Sequence, residues 1–303
     1  MTASLSRRAF LASSTAGAVA AACQSSGPAS PGSATAPRTI PEPPLDPDSG
    51  LPLIDYHVHL DEVGYNGAGL DTAAATAKAR AARFGIVEHA GTKDHQYPVV
   101  LGNDEDLKRH LAMFGDRPLY RGIQAEGVDW MTCFSKGVVA QLDFVLADAL
   151  TFPEKDGRLV CLWKKEQVKI DDAQDFMDRY VAHHLRILAN PVDILANGTF
   201  LPHVLQADHD ALWTESRMRR VIEAAVKAGV AIEISASFKL PKLAFLKIAK
   251  AAGARFTFGT NARKPELMGR FDYPLEMAKA LGLKREDIFL PRPAGEKRVE
   301  RGG

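Results

Sequence analysis

Cysteine is scarce in this chain: three in 303 residues, at positions 23, 133 and 161. Cys23 closes an N-terminal apolar stretch, so the body keeps only Cys133 and Cys161, too few and too far apart for a cysteine metal site. They read as two buried thiols in preference to one disulfide. Net charge is equally thin. With 38 basic against 37 acidic side chains, nothing draws the chain electrostatically to nucleic acid or to an anionic membrane surface. No GxGxxG or Walker segment follows a predicted strand, so a nucleotide-binding open sheet loses support. Collagen-like, coiled-coil and multi-span membrane architectures fail on composition.

What is present begins at the N-terminus. Ser6-Arg7-Arg8-Ala9-Phe10-Leu11 precedes an uncharged, small and apolar run through Ala22, and the whole resembles a twin-arginine export signal. The run is too short to span a bilayer. Ala20-Ala21-Ala22-Cys23 allows either cleavage after an Ala-x-Ala-like site or a lipid anchor on Cys23. Residues 24–50 hold seven Pro and five Ser without apolar periodicity, the composition of a flexible tether. The expected organisation is therefore a signal over 1–23, a linker over 24–50 and one domain over 51–303. It implies the twin-arginine machinery as a partner and a periplasmic or exported location.

Along the body, short β-branched runs alternate with amphipathic segments. Strands are predicted over 53–59, 86–89, 119–126, 143–147, 192–196, 230–234 and 255–259. Helices are predicted over 72–84, 104–114, 134–141, 171–188, 214–228, 241–252 and 272–281, with a long irregular connection over 151–165. Regular β-then-α alternation implies parallel strands with helical crossovers, which a closed barrel and an open sheet both satisfy. The strand ends carry Asp55, His57, His59, Glu88, His89, Glu126, Asp148, Asn197, Glu233, Asn261 and Arg263. In either architecture that rim is where sites are built.

Asp55-Tyr56-His57-Val58-His59 alternates polar and apolar residues. As a regular strand it would place Asp55, His57 and His59 on one face, with Asp55 free to orient an imidazole. Two imidazoles at that spacing can bind one metal or two neighbouring ones.

These residues resemble the first motif of the PHP superfamily, named for polymerase and histidinol phosphatase domains. Gly85-Ile86-Val87-Glu88-His89 is similar to its second motif and Gly122-Ile123-Gln124-Ala125-Glu126 to its third. Asp143-Phe144-Val145-Leu146 is similar to the strand opening the fourth, residues 191–197 to the fifth and residues 256–263 to the last. The resemblance implies a (β/α)7 distorted TIM-like barrel and a metal site for phosphoester hydrolysis. Four family ligand positions are changed. Asp148, Ala149 and Leu150 stand where the fourth motif ends in His, Asn197 replaces the fifth motif's His, and Asn261 and Arg263 replace the last motif's Asp and His. A further histidine near His59 is missing, with Asp61 and Glu62 in its vicinity.

The surviving set is His57, His59, His89 and Glu126, with Asp148 as a possible fifth member, enough for one or two ions of Zn, Mn or Fe. Arg263 cannot ligate but can clamp an anion. Asp148 or His95 is the expected proton shuttle. The sequence therefore points to an exported metal-dependent hydrolase of a small polar molecule, with phosphoester cleavage first. A sugar or polyhydroxylated substrate, and a non-catalytic binder on a decayed barrel, are the alternatives.

Overall fold

The computed structural model describes residues 42–92 and 97–301. In chain order the first elements are β1 (Ile54–Val58), α1 (Gly67–Ala79), β2 (Arg83–Ile86), β3 (His89–Ala90), β4 (Val100–Leu101), α2 (Asp104–Met113) and β5 (Tyr120–Ala125). Next come α3 (Lys136–Val139), β6 (Phe144–Ala147), β7 (Thr151–Pro153), β8 (Leu159–Cys161), α4 (Ala173–Leu188), β9 (Ile194–Leu195), α5 (His209–Leu212) and α6 (Glu215–Ala228). The chain continues through β10 (Ala231–Ser235), α7 (Leu243–Ala251), β11 (Phe256–Gly259) and α8 (Asp272–Leu281). Asn66, Asn103, Asp172 and Thr214 cap the starts of α1, α2, α4 and α6 by accepting first-turn N–H groups.

Seven strands close on themselves in the order β1–β2–β5–β6–β9–β10–β11, every pairing parallel. The closed member of the two expected architectures is therefore the observed one, a parallel barrel ringed by helices. β3 and β4 extend the sheet beside β5. The elements depart most from the sequence reading in two places. The first helix ends at Ala79 and the second barrel strand starts at Arg83, because Ala81 takes a left-handed turn at φ 46°. The connection after β6 is not irregular but contains the antiparallel β7–β8 hairpin.

The barrel interior is layered. Ile54, Tyr56, Tyr120, Phe144, Ile194, Ala231 and Phe289 form one buried apolar cluster, with the Tyr56 and Phe144 rings edge-on at 5.1 Å. Gly122 lies under Phe144: a Cβ there would come within 2.3 Å of the ring. Alternation carries each strand from this floor to a polar top, as in Tyr120, Gly122, Gln124 and Glu126, in Phe144, Leu146 and Asp148, and in Ala231 and Glu233.

Residues 44–53, partly within the stretch assigned to the tether by composition, make a turn on the body. Leu45 bridges Pro52 and the Leu53 N–H donates to the Pro44 carbonyl at 2.8 Å. Residues 1–41, which include the segment expected to be an export signal and Cys23, lie outside the described residues. Among those described, no helix is long and apolar enough to cross a membrane. Cys133 and Cys161 are free thiols, Cys161 buried and Cys133 half-buried.

Candidate functional site

The pairing of β1 with β2 shifts register between Asp55 and Val58, and this irregularity determines which side chains reach the interior. Tyr56 stays in the apolar floor, whereas His57 reaches the polar layer above it. Asp55 bonds neither imidazole, although its Oδ1 accepts the His57 backbone N–H at 3.2 Å. Its carboxylate accepts from Thr260 Oγ1 at 2.5 Å, Thr260 N at 3.0 Å and Gly269 N at 2.9 Å. The expectation that Asp55 orients an imidazole is thus corrected: it ties the segment after β11 to β1. Burial outweighs these bonds and lifts its pKa to about 6.

Glu233 takes the orienting role instead. His57 Nδ1 lies 2.7 Å from Glu233 Oε1, and His57 Nε2 lies 3.0 Å from Gln124 Oε1. Burial alone would lower the pKa of His57, but the charge and hydrogen bond of Glu233 raise it above its ordinary value. Two acceptors on two ring nitrogens suit the imidazolium form. Gln124 Nε2 donates to Glu126 Oε1 and to Asp148 Oδ2, each at 3.2 Å. One amide thereby joins a histidine and two carboxylates.

His89 Nδ1 lies 2.8 Å from Glu126 Oε1. Burial, with a smaller contribution from Arg263, pushes the His89 pKa down to about 3, so the ring is neutral, donates from Nδ1 and keeps its lone pair on Nε2. His59 is buried between the other two, its ring 5.2 Å from His57 and 4.9 Å from His89. Its Nε2 is buried with no hydrogen-bond partner among the described residues. Burial, then the two neighbouring imidazoles, hold its pKa well below the usual value.

Asp148 Oδ2 also accepts from Asn197 Nδ2 at 3.1 Å, and Oδ1 accepts from the Leu150 N–H at 3.0 Å. Burial and the charge of Glu126 raise its pKa to about 7. Asn197 sits in the left-handed region at φ 51°, donating its own N–H to Glu233 Oε2 at 3.1 Å. Asp148 and Asn197 are therefore members of the buried network and not loop caps. Glu88 receives the Leu60 N–H at 3.0 Å, and burial lifts its pKa to about 8.

A cavity of about 420 Å³ opens above this layer, with Glu88, His89, Gln124 and Asp148 on its walls and Arg263, Asn261, Tyr97 and Trp163 also lining it. Arg263 is not a distant surface residue. Its Nε donates to Asp61 Oδ2 at 2.9 Å and its Nη1 to Asn261 Oδ1 at 2.9 Å. Its charge lowers the pKa of His57, His59, Glu88 and His89. His95 lies outside the described residues. His183, His184 and His209 are buried away from the cavity, bonded to the Thr151, Tyr180 and Thr199 carbonyls.

Sequence reading missed Gln124 as a site residue, although alternation along β5 puts it on the same face as Glu126. Glu233 was visible as a rim residue without a role. Tyr97 gave no signal, since it joins the site by stacking on His89, with ring centroids 3.4 Å apart, and through its hydroxyl, 3.1 Å from Thr151 Oγ1.

Donor chemistry at this layer suits a divalent ion: neutral imidazoles at His59 and His89, carboxylates at Glu126 and Asp148, and a buried His59 Nε2 without a hydrogen-bond partner among the described residues. His57 would join only by releasing Gln124. Among the described residues no three His, Cys, Asp or Glu side chains already stand in a grouping that could hold a metal, so loading requires side chains to turn.

No family model matches the chain. No curated protein matches it either. Among solved structures, a crystal structure of the citrate synthase SbnG is similar at 14% identity and a TM-score of 0.36, over 75% of this chain and 95% of that one.

Proposed function

We propose that this chain is an exported metal-dependent hydrolase of the PHP type, cleaving a small phosphoester at the C-terminal rim of its barrel. The supporting observation is the row of three neighbouring buried imidazoles at one end of the barrel, His57 bonded to Glu233 and His89 to Glu126, with the His59 Nε2 lacking a hydrogen-bond partner among the described residues. His59, His89 and Glu126 would hold the ion, with His57 available once Gln124 withdraws. A Zn, Mn or Fe ion held there would supply Lewis-acid activation of water.

The chain's own groups do the rest. Asp148, with its pKa raised to about 7, is poised near neutrality to take a proton on Oδ2 and return it to a leaving oxygen. Glu88, protonated below about pH 8, donates a hydrogen bond into the same cavity. Arg263, braced by Asp61 and Asn261, orients an anionic substrate. Export rests on Arg7, Arg8 and the apolar run that follows them in the sequence.

Replacing His59 or His89 with Ala is expected to remove both bound metal and phosphatase turnover. Full turnover by a metal-free His59→Ala/His89→Ala double variant would sink the reading. One observation favours the non-catalytic binder: His57, Gln124 and Glu233 already satisfy one another. Under that reading, ligands would raise the melting temperature without being turned over.

A further inference from the structure

The cavity is chemically two-sided. Its inner end is the polar layer of Glu88, His89, Gln124 and Asp148, while Val99, Leu150 and Phe238 contribute apolar wall. From the inner end runs a file of near-parallel rings: His59 on His89 at 4.9 Å and 21°, His89 on Tyr97 at 3.4 Å and 12°, Tyr97 on Trp163 at 5.5 Å and 25°. Trp163 is half-buried and lines the cavity, so it extends the file into the substrate space. Phe238 is half-buried too, braced edge-on by Phe200 at 4.9 Å. Both aromatics are held by neighbours, so little side-chain entropy is lost when a ring packs on them.

Arg263 supplies the complementary feature. Nε and Nη1 are committed to Asp61 and Asn261, whereas Nη2 has no hydrogen bond to any described residue. One edge of a positioned guanidinium is left for an anion. A polyhydroxylated body would set hydroxyls against Val99, Leu150 and Phe238, at a desolvation cost without compensation. A planar apolar ring carries no such cost.

We infer that the cavity takes a small aromatic phosphomonoester, its ring packed on Trp163 and its phosphate on Arg263. This rests on the hydrolase reading for the fate of the ligand, though not for its recognition.

The test uses the full chain and two non-hydrolysable probes, phenylphosphonate and methylphosphonate, with binding measured by calorimetry and by quenching of tryptophan fluorescence. The ring should tighten binding by about tenfold. Trp163→Leu, which keeps the apolar volume, and Trp163→Ala should both shrink that ratio towards one without changing methylphosphonate affinity. Arg263→Ala should weaken both probes. Equal affinities in the unaltered chain, or a ring preference that survives in both folded Trp163 variants, would overturn the inference. Phenyl phosphate is assayed for turnover in parallel. Ring-selective phosphonate binding without turnover would uphold the inference and refute the hydrolase reading.

Discussion

Glu233 Oε1 lies 2.7 Å from His57 Nδ1, with both side chains fully buried at the top of the barrel. The pair fixes the ring's orientation and its proton on Nδ1. Removing the charge by Glu233→Gln should lower the His57 pKa, readable from its imidazole carbon shifts. Activity should fall by about 10- to 100-fold, as for other changes to groups that orient a site histidine. An unmoved His57 titration would show that Glu233 is not its partner.

Gly259 permits that pair. A Cβ at this position would stand 1.8 Å from Glu233 Oε1, and Glu233 is held by the His57 ring and the Asn197 N–H. Gly259→Ala should therefore displace Glu233 and reproduce the Glu233→Gln phenotype, with the far-ultraviolet circular dichroism preserved. Gly253→Ala is no suitable control, because Gly253 has φ 80°. Gly137, with open space around its Cβ and no positive φ, is one, and Gly137→Ala should leave activity intact.

Gln124 bonds His57, Glu126 and Asp148 at once. Gln124→Leu conserves volume but strips a partner from each of three buried groups. A loss of about 2–3 kcal/mol in urea unfolding is expected, since each stranded polar group typically costs about 1–3 kcal/mol. Unchanged stability would mean that the three groups are satisfied in another way.

Acid–base behaviour gives a further check on the metal-free chain. Asp55, Asp148 and Glu88 have folded-state pKa values raised to about 6, about 7 and about 8. Up to about pH 6.5 these acids are opposed by His59, His89, His110, His183 and His184, whose burial lowers their folded-state pKa values. Above about pH 7 those histidines are neutral in both states, the folded state holds more protons through Asp148 and Glu88, and stability falls as pH rises. With chelator present, the melting temperature should drop from about pH 7 to about pH 8.5. Asp148→Asn and Glu88→Gln should each flatten the slope, and a melting temperature that rises over the interval would contradict the burial of these protonated acids.

Much of the fold was legible because each barrel strand is a short apolar run with a polar residue at or just beyond its carboxyl end, and α1, α2, α4 and α6 each open on a capping side chain. The alternation did not distinguish a closed barrel from an open sheet, because closure depends on β2 pairing with β5 and β11 with β1, contacts remote in sequence. His57, His59, His89, Glu126 and Asp148 are brought together at one end of the barrel as their strand positions suggest. Asp55 was misassigned for a definite reason: strict two-residue alternation fails where β1 shifts register against β2. Gln124 was overlooked because an amide is a weak ligand, yet as a simultaneous donor and acceptor it is the residue that can join an imidazolium to two carboxylates. Tyr97 enters the site by stacking on His89 and through its hydroxyl's bond to Thr151, and Trp163 by stacking on Tyr97, contacts that no sequence periodicity encodes.

The central claim is that the His59, His89 and Glu126 layer holds a divalent ion. The most direct measurement is elemental analysis of the purified full chain after growth with Zn, Mn and Fe, beside the His59→Ala variant. About one equivalent of a single metal is expected, falling to background in the variant. Background metal in both proteins, with the unaltered chain folded and metal supplied, would contradict the claim and leave the rim as a hydrogen-bonded binding surface.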